Sequence, residues 1–289
     1  MAQAEILLDV KAALGEGPSW DERNGLLYWV DIDGKSLLTY DPATGEQTKA
    51  TFGKKLGAAV PRQSGGIVLT LEDGFYAYEP GMDEPVLIGA PEGLSQVRFN
   101  DGKCDAAGRF WAGTASLTGG TEGALYCMDT DLSIRLVLDG ISCSNGLAWS
   151  TDNQIMYYID SPTRNIMAYD YDLSSGQISN PRVAIEVTEA GAVPDGMTID
   201  EEGMIWVALW GGYGIRRWNP HTGELLLKVD VAAEQSSSCI FGGPEYRDLY
   251  ITSARSGLTE ARLADQPLAG GLFIYRNAGQ GTPTYAFGG

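Results

Sequence analysis

Histidine is almost absent from this 289-residue sequence, which contains one, His221, in the turn-like segment NPHTGE. A Ser-His-Asp hydrolase needs a histidine base beside its nucleophile, whereas a histidine in a polar turn is typical of a surface position. The GxSxG segment that carries the nucleophile of α/β-hydrolases is also missing. These two absences exclude a serine-nucleophile mechanism.

Basic residues are also few. Lys and Arg number 20 against 38 Asp and Glu, which gives a formal net charge of −18 at pH 7. A surface that binds nucleic acid needs the opposite balance, because it must neutralise phosphate groups. We therefore expect no nucleic-acid partner.

Long apolar runs are missing as well. No stretch approaches the roughly 18 apolar residues of a membrane-spanning helix, and the first residues, MAQAEILLDVKAALGEG, lack the pattern of a signal peptide. The four cysteines are Cys104, Cys127, Cys143 and Cys239. They show no close metal-type spacing and are too few for a disulfide framework in a chain of this size. We expect a cytoplasmic monomer or weak homo-oligomer with free, mostly buried thiols and no membrane partner.

Glycine, by contrast, is abundant at 38 residues, and it occurs within a repeated phrase. The phrase consists of an oxygen-bearing residue, a short apolar run, a polar residue, a turn containing Gly, and an apolar or aromatic strand. Its clear copies are EGPSWDERNGLLYWVD, NDGKCDAAGRFWAGT, NGLAWSTDNQIMYYID and DGMTIDEEGMIWVALW, and degenerate copies start at Ala58 and Cys239. A second strand phrase, such as LLTYDPATGE, follows each copy. Each repeat therefore contains several short strands.

A repeat of 40 to 50 residues with about four strands is typical of a β-propeller blade. We predict one all-β domain over residues 1–289, a six-bladed β-propeller. The leading strand AEILLDV is expected to complete the last blade and so cover its open edge. The segments 116–123, 186–194 and 255–270 are expected to be rim loops.

Four oxygen-bearing residues occupy the first position of the clear copies: Glu16, Asn100, Asn145 and Asp195. In a propeller this position lies on the innermost strand of each blade, so the side chains are expected to converge on one axis. Carboxylates brought together without a cation would repel one another, and a divalent ion removes the conflict. Taken singly, each residue is equally compatible with a strand-end cap or Asx-turn. As a set they predict a site for one divalent metal ion, with oxygen ligands suited to Ca²⁺, Mg²⁺ or Mn²⁺ and also able to hold Zn²⁺ or Fe²⁺.

These phrases also carry a resemblance to a known family. The segments LGEGPSWD, RFNDGKCDAAGRFWAGT, SNGLAWS, PDGMTID, FGGPEYRDLYITSAR and QPLAGGLF resemble the family of senescence-marker protein (regucalcin), gluconolactonase and luciferin-regenerating enzyme. The resemblance spans nearly the whole chain. It implies a six-bladed propeller with one divalent metal and, in most members, hydrolysis of sugar lactones.

The resemblance also implies roles for individual residues. The family's metal ligands fall on Glu16, Asn145 and Asp195, and Asp195 is the catalytic base as well. Its substrate-contacting Arg and Asn fall on Arg98 and Asn100. A substrate-contacting Glu that vertebrate members carry after the AGT segment has no counterpart in AGTASLTGGTEG. The nearest acid there is Glu122, which we take as a substitute contact.

The expected function is metal-dependent hydrolysis of a sugar lactone, an aldonolactone such as glucono- or xylonolactone, to the aldonic acid. The metal would polarise the carbonyl, and Asp195 would act as general base and then acid. Two alternatives stay open, a calcium-binding regulatory propeller and a phosphotriesterase or arylesterase. Arg98 and Asn100 favour a polyhydroxylated substrate over an apolar ester. Trp210 and Tyr213, just past a predicted strand, are candidates for a pocket wall.

Overall fold

The computed structural model describes residues 2–289 and is almost entirely β-structure. The strands are β1 (Ala2–Gln3), β2 (Glu5–Leu8), β3 (Gly15–Asp21), β4 (Leu26–Asp31), β5 (Ser36–Tyr40), β6 (Gln47–Thr51), β7 (Leu56–Pro61), β8 (Ile67–Leu71), β9 (Gly74–Tyr78), β10 (Val86–Gly89), β11 (Val97–Cys104), β12 (Phe110–Ser116), β13 (Gly123–Met128), β14 (Ile134–Ile141), β15 (Ser144–Trp149), β16 (Ile155–Asp160), β17 (Asn165–Asp172), β18 (Gln177–Glu186), β19 (Val193–Ile199), β20 (Ile205–Trp210), β21 (Gly214–Trp218), β22 (Leu225–Asp230), β23 (Ser236–Gly242), β24 (Asp248–Ser253) and β25 (Leu272–Tyr275). One short helix, α1 (Glu260–Asp265), and 3-10 turns at Leu94–Gln96, Ser161–Thr163 and Pro244–Tyr246 are the helical elements of residues 2–289.

The strands form six sheets, each built mainly from strands that are consecutive in the sequence. Blades 1 to 4 are β3–β6, β7–β10, β11–β14 and β15–β18. Blade 5 contains β19–β22, and blade 6 contains β23, β24, β25 and β2. The described residues contain no helix that is long and apolar enough to cross a membrane. The predicted fold class, an all-β chain with the six blades of a β-propeller, is confirmed.

The N-terminal segment completes the last blade, as the sequence predicts. β2 pairs antiparallel with β25, with Glu5 opposite Ile274 and Ile6 opposite Phe273. The segment also does something that the sequence does not indicate, because β1 adds a parallel fifth strand to blade 5, with Ala2 opposite Val229. One short stretch of chain thus covers the outer edges of two sheets that would otherwise be open.

A carboxylate explains why the repeated phrase has a polar residue at its sixth position. Asp105 accepts hydrogen bonds from the backbone N–H groups of Ala107 (2.9 Å) and Arg109 (3.0 Å) in the hairpin turn, and from the Trp111 indole (2.8 Å) on the next strand. Asp200 repeats the arrangement with Met204 (2.9 Å) and Trp206 (2.8 Å). These aspartates therefore fix the first hairpin of their blade and satisfy a buried indole N–H.

By its internal contacts the chain divides into two compact units. The first consists of Met1–Pro18 and Gly146–Pro283, and the second of Ser19–Asn145 and Thr284–Gly289. The first unit is packed around two apolar clusters that include Trp218, Trp206 and Phe241.

The second unit has a cluster that includes Phe75, Phe99 and Phe110. Phe287, near the end of the chain, is fully buried in this cluster, and its backbone pairs with Pro61 and Gln63. No sequence pattern predicts that a residue so far from the repeats packs into blade 2.

The predicted loops and cysteines are as expected, with one exception. The segment 255–270 contains helix α1, capped by Thr259, whose hydroxyl accepts from the Arg262 N–H, and is not irregular throughout. The cysteines are all free, and three of them are buried while Cys143 is half-buried.

Candidate functional site

The four oxygen-bearing residues of the repeat lie on the first strand of their blades. Their side chains are deeply buried, with exposed fractions of 3% for Glu16 and 4% for Asn100, Asn145 and Asp195. The strands that carry Glu16 and Asn145, β3 and β15, are buried along their whole length. The same holds for β7 and β23, the first strands of blades 2 and 6. Burying a carboxylate is costly without compensating charge or hydrogen bonds. Polar residues at these positions therefore indicate a function rather than packing.

Two of these residues, Asn100 and Asp195, lie in β-bulges, where the register of the strand pair shifts by one residue. Asn100 is an extra residue between Phe99, opposite Thr114, and Asp101, opposite Gly113. Asp195 and Gly196 together face one residue of β20, between the pairs Pro194–Leu209 and Met197–Val207. A β-bulge of this kind re-aims a side chain and is frequent beside active sites.

The bulges also correct the alignment of the two degenerate repeats. On β7 the extra residue is Gly57, and on β23 it is Ser237. The sequence phrases alone align Ala58 and Cys239 with the oxygen-bearing residues, which is wrong by one and two positions. The error arises because a bulge adds a residue that a pattern of apolar spacing does not reveal.

In the second unit, Arg98, Asn100 and Asn145 form one hydrogen-bonded chain. Arg98 donates through Nη1 to Asn100 Oδ1 (2.5 Å) and to the Phe99 carbonyl (3.1 Å). Asn100 in turn donates through Nδ2 to Asn145 Oδ1 (3.1 Å) and to the Ser144 carbonyl (2.8 Å). The structure thus brings together three of the predicted site residues, and the chain of bonds assigns which amide atom is oxygen.

Cys143 contributes to this arrangement in a way that the sequence does not signal. Its sulfur accepts from Asn100 Nδ2 (3.7 Å) and from Asn145 Nδ2 (3.8 Å). A thiol sulfur is a weak acceptor. Its position turns the nitrogen of the Asn145 amide toward Cys143 and the oxygen toward Asn100.

The neighbouring acid, Asp101, is buried, and burial raises the pKa of its carboxyl group. The backbone N–H of Gly102 donates to its Oδ1 (2.7 Å), a bond that favours the ionised form and opposes the effect of burial. In an ordinary strand, consecutive side chains point to opposite faces of the sheet. The bulge at Asn100 disturbs this alternation between Asn100 and Asp101.

In the first unit, the strands that carry Asp195 and Glu16 both contact β23. A Cβ atom on Gly196 would lie 1.9 Å from Ser238 Oγ, so only glycine allows β19 to approach β23 this closely. On the other side, Ser237 Oγ donates to the Gly15 carbonyl (2.5 Å). β23 therefore lies between the backbone that carries Asp195 and the backbone that carries Glu16.

Glu16 is held by its own turn. The N–H of Gly17 donates to Glu16 Oε2 (2.9 Å), and Gly17 adopts a positive φ of 46°. A left-handed conformation favours glycine at this position. The local backbone thus fixes one carboxylate oxygen.

The donor set suits a hard divalent cation. Glu16 and Asp195 supply carboxylate oxygens, and the bond from Asn100 identifies the acceptor atom of Asn145 as its carbonyl oxygen, which has two lone pairs. Residues 2–289 contain no group of three or more His, Cys, Asp or Glu side chains placed to hold a metal ion. The metal site on Glu16, Asn145 and Asp195, which combines two carboxylates with one amide oxygen, stays a prediction.

Glu122 lies in an exposed loop and bonds within that loop. It accepts from Ser116 Oγ (2.5 Å) and Thr118 Oγ1 (3.0 Å). The bond from Ser116, with help from its own backbone N–H and from Thr118, holds the pKa of Glu122 below its usual value. The loop follows β12, whose residue Ala115 is opposite Arg98. The assignment of Glu122 as a substrate contact stays a prediction.

Comparison with known proteins supports the predicted relationship. Residues 14–255 match the model of the SMP-30/Gluconolactonase/LRE-like region. YvrE of Bacillus subtilis (strain 168), whose name refers to a sugar lactone lactonase, is 41% identical over 272 residues, 93% of each chain. Regucalcin of Oryctolagus cuniculus is 38% identical over 293 residues, which cover 99% of this chain and 98% of that protein.

A solved structure agrees over the whole length. Luciferin-regenerating enzyme superposes with a TM-score of 0.92 at 32% identity, covering 99% of each chain. Together with the family model and the two relatives, this similarity extends over all six blades. The chain belongs to the SMP-30/gluconolactonase/LRE-like family.

Proposed function

We propose that this chain is a lactonase that hydrolyses a sugar lactone to the corresponding hydroxy acid with the help of one bound divalent metal ion. The observation that carries the proposal is the placement of Asp195, a buried carboxylate re-aimed by a β-bulge on the first strand of its blade. Family membership and the printed name of YvrE support the choice of a sugar lactone as substrate.

The residues proposed to hold the metal are Glu16, Asn145 and Asp195. A divalent cation bound there supplies Lewis-acid chemistry to an ester carbonyl. Its identity among Ca²⁺, Zn²⁺, Mn²⁺, Mg²⁺ and Fe²⁺ is left open by the oxygen-only donor set.

Asp195 is proposed to move the proton. Its carboxylate accepts a proton from the attacking water as the new carbon–oxygen bond forms, and it returns that proton to the ring oxygen as the old carbon–oxygen bond breaks. The products are one hydroxyl group and one carboxylic acid, which ionises in neutral solution. A general base on a buried, fixed strand is already oriented for this task.

Arg98 and Asn100 are proposed to bind the sugar hydroxyls. The bonds of Arg98 to Phe99 and Asn100 both use Nη1. A guanidinium group has five N–H donors in a rigid plane, so Nε and Nη2 can still donate to a ligand. Because Asn100 holds the guanidinium in place, the donors are oriented before the substrate arrives.

The proposal is tested by comparing substrate classes. Acid release should be measured for glucono- and xylonolactone, for phenyl acetate and for a phosphotriester, with the spontaneous rate subtracted. We expect turnover of the aldonolactones well above background and little turnover of the other two. Faster turnover of the aryl ester or phosphotriester would replace the lactonase proposal with an esterase, and no turnover of any substrate would favour a regulatory role.

A further inference from the structure

An uncompensated amide group lies beside the proposed site. Gln235, 7% exposed, directly precedes β23, and its Oε1 atom is buried without a hydrogen-bond partner in the structure. An amide flip would place an NH₂ group there, which would also lack a partner. Leaving such a group unsatisfied lowers the stability of the fold. A residue that bears this cost has a use other than packing.

Gln235 lies close to an aromatic ring. A Cβ atom on the exposed residue Gly257 would lie 3.6 Å from Gln235 Nε2 and 3.7 Å from Trp210 Cζ2. Trp210 is half-buried and forms a backbone bridge with Gln235. Gly257, which has a φ of +80°, thus lies beside both groups and adds no side chain there.

The sheet register places both side chains near Asp195. Trp210 is opposite Val193, two residues before Asp195 on β19. Gln235 comes two residues before Ser237, the bulged residue of β23. β19 and β23 contact each other at Gly196 and Ser238. The amide and the indole thus lie about two residues, roughly 7 Å along a strand, from the level of Asp195.

The segment before Gln235 is held rigidly from two sides. The Glu234 carbonyl accepts from the N–H groups of Gly211 (3.1 Å) and Tyr213 (3.2 Å), which ties it to the turn after Trp210. The Glu234 N–H donates to Gln266 Oε1 (2.7 Å), and its carboxylate pairs with Arg262 of α1. These contacts fix the backbone of Gln235, so its amide is preorganised.

We propose that Gln235 and Trp210 form a carbohydrate subsite that binds the ring of the substrate on the side of Asp195. The Gln235 amide exchanges hydrogen bonds with a ring hydroxyl, which both donates and accepts, and the Trp210 indole packs against the apolar C–H face of the ring. This inference rests on the proposed lactonase function and adds the residues that select a polyhydroxylated ring. The repeat pattern does not indicate Gln235, whereas the sequence already marks Trp210 as a candidate for a pocket wall.

The first test measures the melting temperature, because substitution by Met should affect a structural glutamine and a ligand-binding glutamine in opposite ways. Gln266 is as buried as Gln235, at 7% exposed, but its amide bonds to Glu234 and Tyr213. Gln266→Met should therefore lower the melting temperature. Gln235→Met, which removes an unsatisfied polar group and keeps the volume, should leave the melting temperature unchanged or raise it. A decrease for Gln235→Met as large as that for Gln266→Met would overturn the proposal.

The second test measures binding without turnover. The probe is 1,5-anhydroglucitol, a six-membered ring polyol that has no carbonyl to hydrolyse, titrated calorimetrically into wild type, Gln235→Met and Trp210→Leu. We expect about a tenfold rise in Kd for each variant. Equal affinity for wild type and Gln235→Met, or no binding to wild type, would refute the subsite. If wild type still hydrolyses lactones when one of these two contrary binding results is found, the subsite is refuted but the lactonase function stands.

Discussion

At the scale of the residue, two nearby aspartates illustrate the difference between a proposed catalytic role and a structural one. Asp195 is the third residue of β19, Asp200 directly follows the end of that strand, and both are buried. Asp200 accepts from Trp206, Met204 and Arg217, so its carboxylate is fully used in holding the hairpin. Asp195 lies in a β-bulge, where it and Gly196 together face one residue of β20.

This contrast gives a prediction with a matched control. Asp195→Asn should lower kcat for the lactone by about 10² to 10⁴, because the general base is lost, while the melting temperature is retained. Asp200→Asn should lower the free energy of unfolding by about 1.5–3 kcal/mol, since bonds to a charged acceptor are weakened. Its activity per folded molecule should be kept. Steady-state kinetics and urea unfolding of both variants check the assignment, and a reversal of the two effects would contradict it.

The sequence singles out some of these residues and gives no sign of others, for a physical reason. Glu16 and Asp195 stand out because a polar residue recurs at one position of an apolar phrase. Gln235 and Cys143 carry no such signal, because their contacts with Trp210 and Asn100 exist only in the folded chain. Contacts made across blades do not leave a periodic pattern in the sequence.

At the scale of the element, the hairpins are predictable and the bulges are not. The turn residues and the Asp-to-Trp spacing of Asp105 and Asp200 fix the first hairpin of blades 3 and 5. A bulge inserts one residue without changing the apolar pattern on either side. This is why Gly57 and Ser237 are misaligned in the sequence repeat.

An ion pair ties the loop after β18 to blade 5. Glu189 accepts from Arg216 at two atoms, Nε (3.0 Å) and Nη2 (2.5 Å), and the Arg216 side chain is only 4% exposed. The hydrogen bonds from Arg216 hold the pKa of Glu189 below its ordinary value of 4.5. Because the pKa of Glu189 is lower in the folded chain than in the unfolded chain, the pair stabilises the fold at pH values above the unfolded-state pKa. This stabilisation is lost as the pH falls through the folded-state pKa.

Glu189→Gln should therefore lower the free energy of unfolding by about 1–3 kcal/mol at pH 7, because Arg216 loses its charged partner. The difference from wild type should shrink as the pH falls below 4.5, the ordinary pKa of the group. Glu202→Gln, which removes the exposed partner of Arg217, is the control and should cost less than about 1 kcal/mol. Urea unfolding at several pH values measures both, and a gap that does not change with pH would contradict this account.

At the scale of the whole molecule, the number of blades and the closure by the N-terminal strand follow from the sequence. Six sheets match six repeats, and β2 completes blade 6. The packing of Phe287 into the core of the second unit does not follow, because residues 276–289 contribute no strand to any blade.

The central claim is that a divalent metal and Asp195 together hydrolyse a lactone. The most direct measurement is the initial rate of acid release from an aldonolactone by protein stripped with a chelator and then supplied with single divalent ions. We expect the stripped protein to fall to the spontaneous rate, and at least one ion to restore turnover in wild type but not in Asp195→Asn. A stripped protein that keeps its full rate, or an Asp195→Asn variant restored to it by any ion, would contradict the claim.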